Sequence, residues 1–201
     1  MMMNGGNGNS MFGVGGTMYA GLGSESMFGG NGVDTVVFGG MHRDFQVTNS
    51  TTGCLVTDTS GRIADMLYNI ERLHFSDMNL AFDDAALNTA RIVGAAFGAA
   101  RMDPTLAGIG ISLFDQGMTM HDVAGVALNA MGGQMSNQEL VTALYTNVVG
   151  QAPDNASLMY YTDMLDHGTS RAEMLILAAN SDANAHHIDL VGMMSHGLEY
   201  L

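Results

Sequence analysis

Two hydrophobic patterns divide the chain near Asp83. Before it, apolar residues come in short clusters, Met11-Phe12, Met18-Tyr19 and Met27-Phe28, set between glycine-rich stretches. "DTVVF", "DFQVT" and "CLVTD" follow, β-branched or aromatic runs separated by "GGMHR" and "NSTTG", which suit turns. These read as strands. From Asp83 onward the pattern switches to that of helices.

The N-terminal clusters repeat. "GGNGNSMFG" at 5–13 recurs as "GLGSESMFGG" at 21–30, a shift of 16. Halving that shift aligns Gly13, Gly21 and Gly29, with Phe12, Ala20, Phe28 and Val36 one place earlier. Short apolar strands between glycine corners at a fixed period predict a β-solenoid. A disordered glycine-rich tail is the alternative, against which stands the regular apolar content of the clusters. The segment "NIERLHFSDMNLAFD", with Ile70, Leu73 and Phe75 apolar and Asp77 at a turn, is expected to cap the solenoid.

In the second half, Thr119 with Asp122, Ser136 with Glu139, and Ser170 with Glu173 each have the spacing of a capping box. Gly117, Gly133 and Gly168 sit just ahead of them, fitting helix ends. Helices are predicted near 84–100, 104–115, 120–131, 137–149, 155–166, 171–181 and 184–198. A shift of 51 maps Asp103 onto Asp154, Asp115 onto Asp166, Gly117 onto Gly168 and Asn129 onto Asn180. The expected architecture is therefore α+β. A glycine-rich β-solenoid with capping strands covers 1–82, and an all-α tandem of two related repeats (about 84–132 and 136–198) covers 83–201.

Composition narrows the function classes. Charge is lopsided, 20 acidic residues against 6 basic, and every basic residue is arginine. A net charge of −14 repels phosphate backbones and anionic lipid, so neither nucleic acid nor a membrane surface is expected as a partner. Calcium would be attracted. Cys54 is the only cysteine, which excludes an intramolecular disulfide and a cysteine-rich zinc site. The N-terminus has no basic or apolar region of a cleaved signal peptide, and no apolar run approaches the ~20 residues that span a bilayer.

At this point the residues carry a family likeness. "GGNGVDTVV" (29–37) fits the glycine-rich nonapeptide of RTX proteins, and the strand segment after it looks like the part that closes an RTX β-roll. The helical half, above all "SNQELVTALYTNVVGQAPDNASLMYYTDMLDHGTSRAEMLILAANS", resembles a domain of unknown function found at the C-terminus of many RTX proteins and distantly similar to phycobilisome-linker repeats. The resemblance implies a β-roll remnant and type I export from a Gram-negative bacterium through an uncleaved C-terminal signal. The implied address is secreted or cell-surface, with the type I secretion machinery as a partner. It supplies no activity.

The same resemblance makes Gly30, Gly32 and Asp34 a candidate calcium loop, with two glycine carbonyls and one carboxylate as hard oxygen donors. The equivalent acid positions of the earlier turns are Ser10 and Ser26. The alternative is a solenoid folded by strand pairing and apolar stacking alone, with no cofactor. Nineteen methionines, and histidines near several of them, raise a soft-metal alternative. On one helix over 184–198, His187 and Met194 lie seven apart on one face and could hold copper or haem. Packing of cores and interfaces explains methionine equally well. No catalytic arrangement stands out: Ser76 and Ser195 lie in no nucleophile elbow, and Cys54 has no base implied nearby.

The function expected is that of a non-enzymatic structural protein, a filament, matrix or surface-layer subunit that self-associates as a homo-oligomer or polymer. The motive is an uncovered first strand at the start of the solenoid, with the far end closed by the hairpin and helices. The alternative is a secreted binding module or adhesin-like carrier for a protein partner, calcium, copper or haem, without catalysis.

Overall fold

A computed structural model describes residues 2–4, 10–12 and 16–201. The chain is a mixed α/β structure that divides into two compact units, 1–83 with 192–201, and 84–191.

In the first unit short strands alternate between two sheets. β1 (Met2–Asn4), β3 (Thr17–Tyr19), β5 (Thr35–Val37), β9 (Arg72–His74), β10 (Asn79–Ala81) and β11 (Leu198–Tyr200) form one, in that spatial order. β2 (Ser10–Phe12), β4 (Ser26–Phe28), β8 (Ala64–Tyr68), β7 (Gly53–Asp58) and β6 (Phe45–Ser50) form the other. The shift of 16 read in the sequence is a strand register: Met11 pairs in parallel with Met27, and Phe12 with Phe28.

The parallel-paired triplets β2, β3, β4, β5 and β9, and the paired part of β8, bury their middle residue, because successive side chains point to opposite faces of a strand. Met11, Met27 and Leu67 line the inside of the second sheet; Met18, Val36 and Leu73 line the inside of the first. They meet in one core with Phe38, Phe75 and Leu80. Three of the methionines thus fill the space between the sheets.

The N-terminal part is a sandwich of two mixed sheets, and the expected glycine-rich β-solenoid or β-roll remnant with a capping hairpin is not what forms. The overturning elements are antiparallel. β6 and β7 make a hairpin from Phe45↔Asp58 to Ser50↔Gly53, and β7 pairs antiparallel with β8, so this segment lengthens the second sheet and closes nothing. β10 runs antiparallel between β9 and β11, which recruits the last strand of the chain into the first sheet. The reason is the alternation of Val47, Cys54, Val56 and Leu67. Their inward side chains extend the core sideways, where a cap would have covered its end.

Arg72 holds β11 in place. Its buried guanidinium donates through Nε to Asp83 at 2.9 Å, reaches the Tyr200 hydroxyl, and lies 5.5 Å from the Tyr200 ring centre.

The second unit is helical: α1 (Asp84–Phe97), α2 (Pro104–Asp115), α3 (Met120–Gly132), α4 (Asn137–Val149), α5 (Asn155–Asp166), α6 (Arg171–Ala179) and α7 (Asp182–His187), with α8 (Leu190–His196) leading back to β11. All three sequence-read capping boxes are present, at Thr119, Ser136 and Ser170. Asp103 and Asp154 cap α2 and α5, and Asp115 and Asp166 end them. The alanine-rich α1 packs against α2, α3, α4, α6 and α7, since small side chains let several helices approach it. Gly94 is required here: an added Cβ would lie 2.3 Å from Ile188 Cγ2.

The helix predicted over 184–198 is two helices, because Asp189 takes a left-handed φ of 50° between them. Among the described residues no helix is long and apolar enough to cross a membrane.

Met27→Ala is expected to destabilise the protein by about 2–5 kcal/mol through the cavity it leaves. Met159→Ala, at an exposed position of α5, should change stability by under about 0.5 kcal/mol. Urea unfolding followed by circular dichroism measures both.

Candidate functional site

The carboxylates of the first unit stack in two columns. The parallel triplets are so short that the chain turns between them, and the backbone amides just before β3, β4 and β5 are drawn wholly or partly into the fold. Gly16 N–H donates to Asp34 Oδ1 and Gly30 N–H to Asp34 Oδ2, both at 2.8 Å. Asp34 N–H donates in turn to Glu71 Oε2 at 2.9 Å, its neighbour one strand along. In the other sheet Gly21 N–H donates to Glu25 Oε2 at 2.9 Å, and Glu25 N–H to Asp65 Oδ1 at 2.8 Å. Glu25, Asp34 and Asp65 are buried. Among the described residues, Glu25 Oε1 and Asp65 Oδ2 are buried with no hydrogen-bond partner.

Burial pushes the Asp65 carboxyl up to about 6, with the Glu25 N–H opposing the shift and the Glu25 charge adding to it. Burial likewise raises Glu71, opposed by the Asp34 N–H and helped by the Asp34 charge.

The candidate calcium loop lies here. Asp34 directs both oxygens to backbone amides, the Gly30 carbonyl accepts from Asn69 Nδ2, and Gly32 is exposed at φ 100°. A cation at this loop would share the Asp34 oxygens with those amides. Ser26 is not the counterpart of Asp34. The step from β4 to β5 is nine residues, so the residue in the matching place is Glu25, which halving the 16-residue shift passed over by one. The signal that could have found it is an acid immediately before the paired triplets at 26–28, 35–37, 66–68 and 72–74.

His187 ends α7 and Met194 lies on α8, so the break at Asp189 removes the single helix that would align them. Among the described residues no three His, Cys, Asp or Glu side chains group as a metal site. Cys54 is buried in β7, and desolvation pushes its thiol up to about 12, which keeps it protonated at neutral pH.

Two further features belong to the surface. On the outer face of the second sheet Phe12, Phe28 and Tyr68 stack as a ladder, ring centres 4.9 and 4.7 Å apart and nearly parallel. Phe12 stands on the edge strand β2 and is 63% exposed. In the helical unit, α4, α5, α6 and the start of α7 enclose a cavity of about 320 Å³ with Val141, Leu144, Tyr145, Tyr161 and Met174 in its walls.

Residues 127–188 match the family described as Domain of unknown function (DUF4214). The match runs from within α3 to the end of α7 and contains every residue lining the cavity. No curated protein matches the chain.

The carboxylate columns tie stability to pH. Asp65 is protonated more readily folded than unfolded, so its contribution is complete below its ordinary value of 3.8 and is lost as pH rises through about 6. Glu71 acts in the same direction. The loss from Asp65 should be at most about 3 kcal/mol between about pH 4 and pH 8. Asp65→Asn, which still accepts from Glu25 N–H and carries no charge, should flatten that dependence. Urea unfolding across the pH range is the measurement.

Proposed function

We propose that this protein is a structural subunit that associates with copies of itself by continuing its sheets, without catalysis. The observation that carries the reading is the edge at β1 and β2. Among the described residues no strand pairs with the outer side of either, and the Phe12 ring ends a ladder with an open face. An edge strand with unpaired N–H and C=O groups is a template for another strand, and an exposed ring at stacking distance from its neighbours adds apolar attraction.

Strand direction favours a head-to-tail arrangement. In the first sheet two antiparallel steps separate β9 from β11, so β11 runs the same way as β1. In the second sheet two antiparallel steps separate β8 from β6, so β6 runs the same way as β2. β11 and β6 are the opposite edges of the two sheets. A copy presented in the same orientation therefore meets both edges with parallel polarity, and a repeated contact of this kind grows without closing. The acidic, lysine-free surface and the likeness of 29–37 to the RTX nonapeptide support a secreted or cell-surface setting reached by type I export.

A second reading, a binding module, is favoured by the apolar cavity of the helical unit.

Size-exclusion chromatography and electron microscopy of the purified protein test self-association. The expected result is concentration-dependent, elongated assemblies, with Phe12→Asp raising the concentration required by at least about tenfold, some 1.4 kcal/mol per contact. A protein that stays monomeric at high concentration, with and without calcium, overturns the reading.

A further inference from the structure

We propose that the cavity of the helical unit binds a small uncharged molecule built around one or two rings. The proposal rests on the binding-module reading and is independent of assembly through the sheets. The cavity floor is made by Val141, Leu144, Val148 and Met174, all buried, and its walls by Tyr145 and Tyr161. At about 320 Å³ it sits at the small end of ligand sites.

Charge selects the ligand class. No Asp, Glu, Arg or His lines the cavity. A carboxylate, phosphate or ammonium would lose hydration there with no counter-ion in return. The net charge of −14 adds a general penalty for anions.

Shape selects rings. Tyr145 and Tyr161 stand with ring centres 6.4 Å apart and planes inclined by 54°, which offers a flat guest an edge and a face in one site. Neither hydroxyl hydrogen-bonds to another described residue, and the Asn180 side chain sits in the same lining, so one polar substituent on the guest finds a donor or acceptor. Leu177 is half exposed and also lines the cavity, continuing the apolar surface to the outside.

The test is fluorescence titration of the full chain with phenylnaphthylamine, which is neutral, and with anilinonaphthalene sulfonate, which has similar rings and a fixed negative charge. Phenylnaphthylamine should saturate at one per chain, and the sulfonate should bind at least about tenfold more weakly, the discrimination expected from burying an unpaired charge. Ala178→Trp, which fills the cavity, and Leu177→Asp, which puts a charge into its lining, should each weaken phenylnaphthylamine at least about tenfold with helicity unchanged. Leu177→Asp at an exposed position guards against Ala178→Trp failing to fold. Equal binding of both probes, sensitive to the two variants, overturns the ligand class and leaves a binding module. Absence of saturable binding by either probe, or binding that neither variant alters, overturns the proposal and the binding-module reading with it.

Discussion

Backbone amides buried where the chain turns are the constraint on which the sheet unit depends. Strands of three residues force a turn every few positions, and the amides that precede β3, β4 and β5 are drawn wholly or partly out of water. An unsatisfied buried N–H costs about 1–3 kcal/mol, so a stack of such turns stands only if each amide finds an acceptor. Asp34, Glu71 and Asp65 each take the amide that precedes the next strand in their sheet, and Glu25 takes the Gly21 amide in the turn just before its own strand. The arrangement places carboxylates beside one another in a chain already rich in acids, and the raised Asp65 and Glu71 carboxyls are its consequence.

The helical unit meets the same requirement by local means. Capping hydroxyls and carboxylates take the free amides of the first helical turns at Asp103, Thr119, Ser136, Asp154 and Ser170. Inside, Asn184 and Asn147 donate to carbonyls of α1 and α6, which ties a helix made mainly of small side chains to its neighbours by polar contacts as well as apolar ones. Positions 51 apart do equivalent work, with Asp103 and Asp154 as caps and Gly117 and Gly168 in left-handed turns. The apolar cavity lies within the segment that matches the domain of unknown function.

The two units suit different kinds of contact. The sheets end in strands whose outer sides carry backbone donors and acceptors, and Phe12 adds an open ring to one of them. Such edges recognise other strands, whatever their sequence. The cavity recognises volume and the absence of charge, and its tyrosines give it geometry. The two kinds of contact therefore draw on separate residues.

Features set by neighbours in the chain were legible in the sequence. The helix starts follow from a hydroxyl and an acid three residues apart, and the 16-residue repeat brings Met11 to Met27 and Phe12 to Phe28 because parallel strands align equal positions. Asp34 was singled out from its motif. Its use as an acceptor for Gly16 and Gly30, and the matching place of Glu25, were not, because a half-period alignment is one residue out and nothing local corrects it. The mixed sandwich lay further beyond reach. It is decided by which strand lies beside which, β8 beside β4 and the C-terminal β11 beside β10, across long stretches of chain. Hydrophobic pattern says which face of a strand is buried. Only the closed core, with the amides of Gly16, Glu25 and Asp34 satisfied and Arg72 set against Asp83 and Tyr200, decides which strands share it.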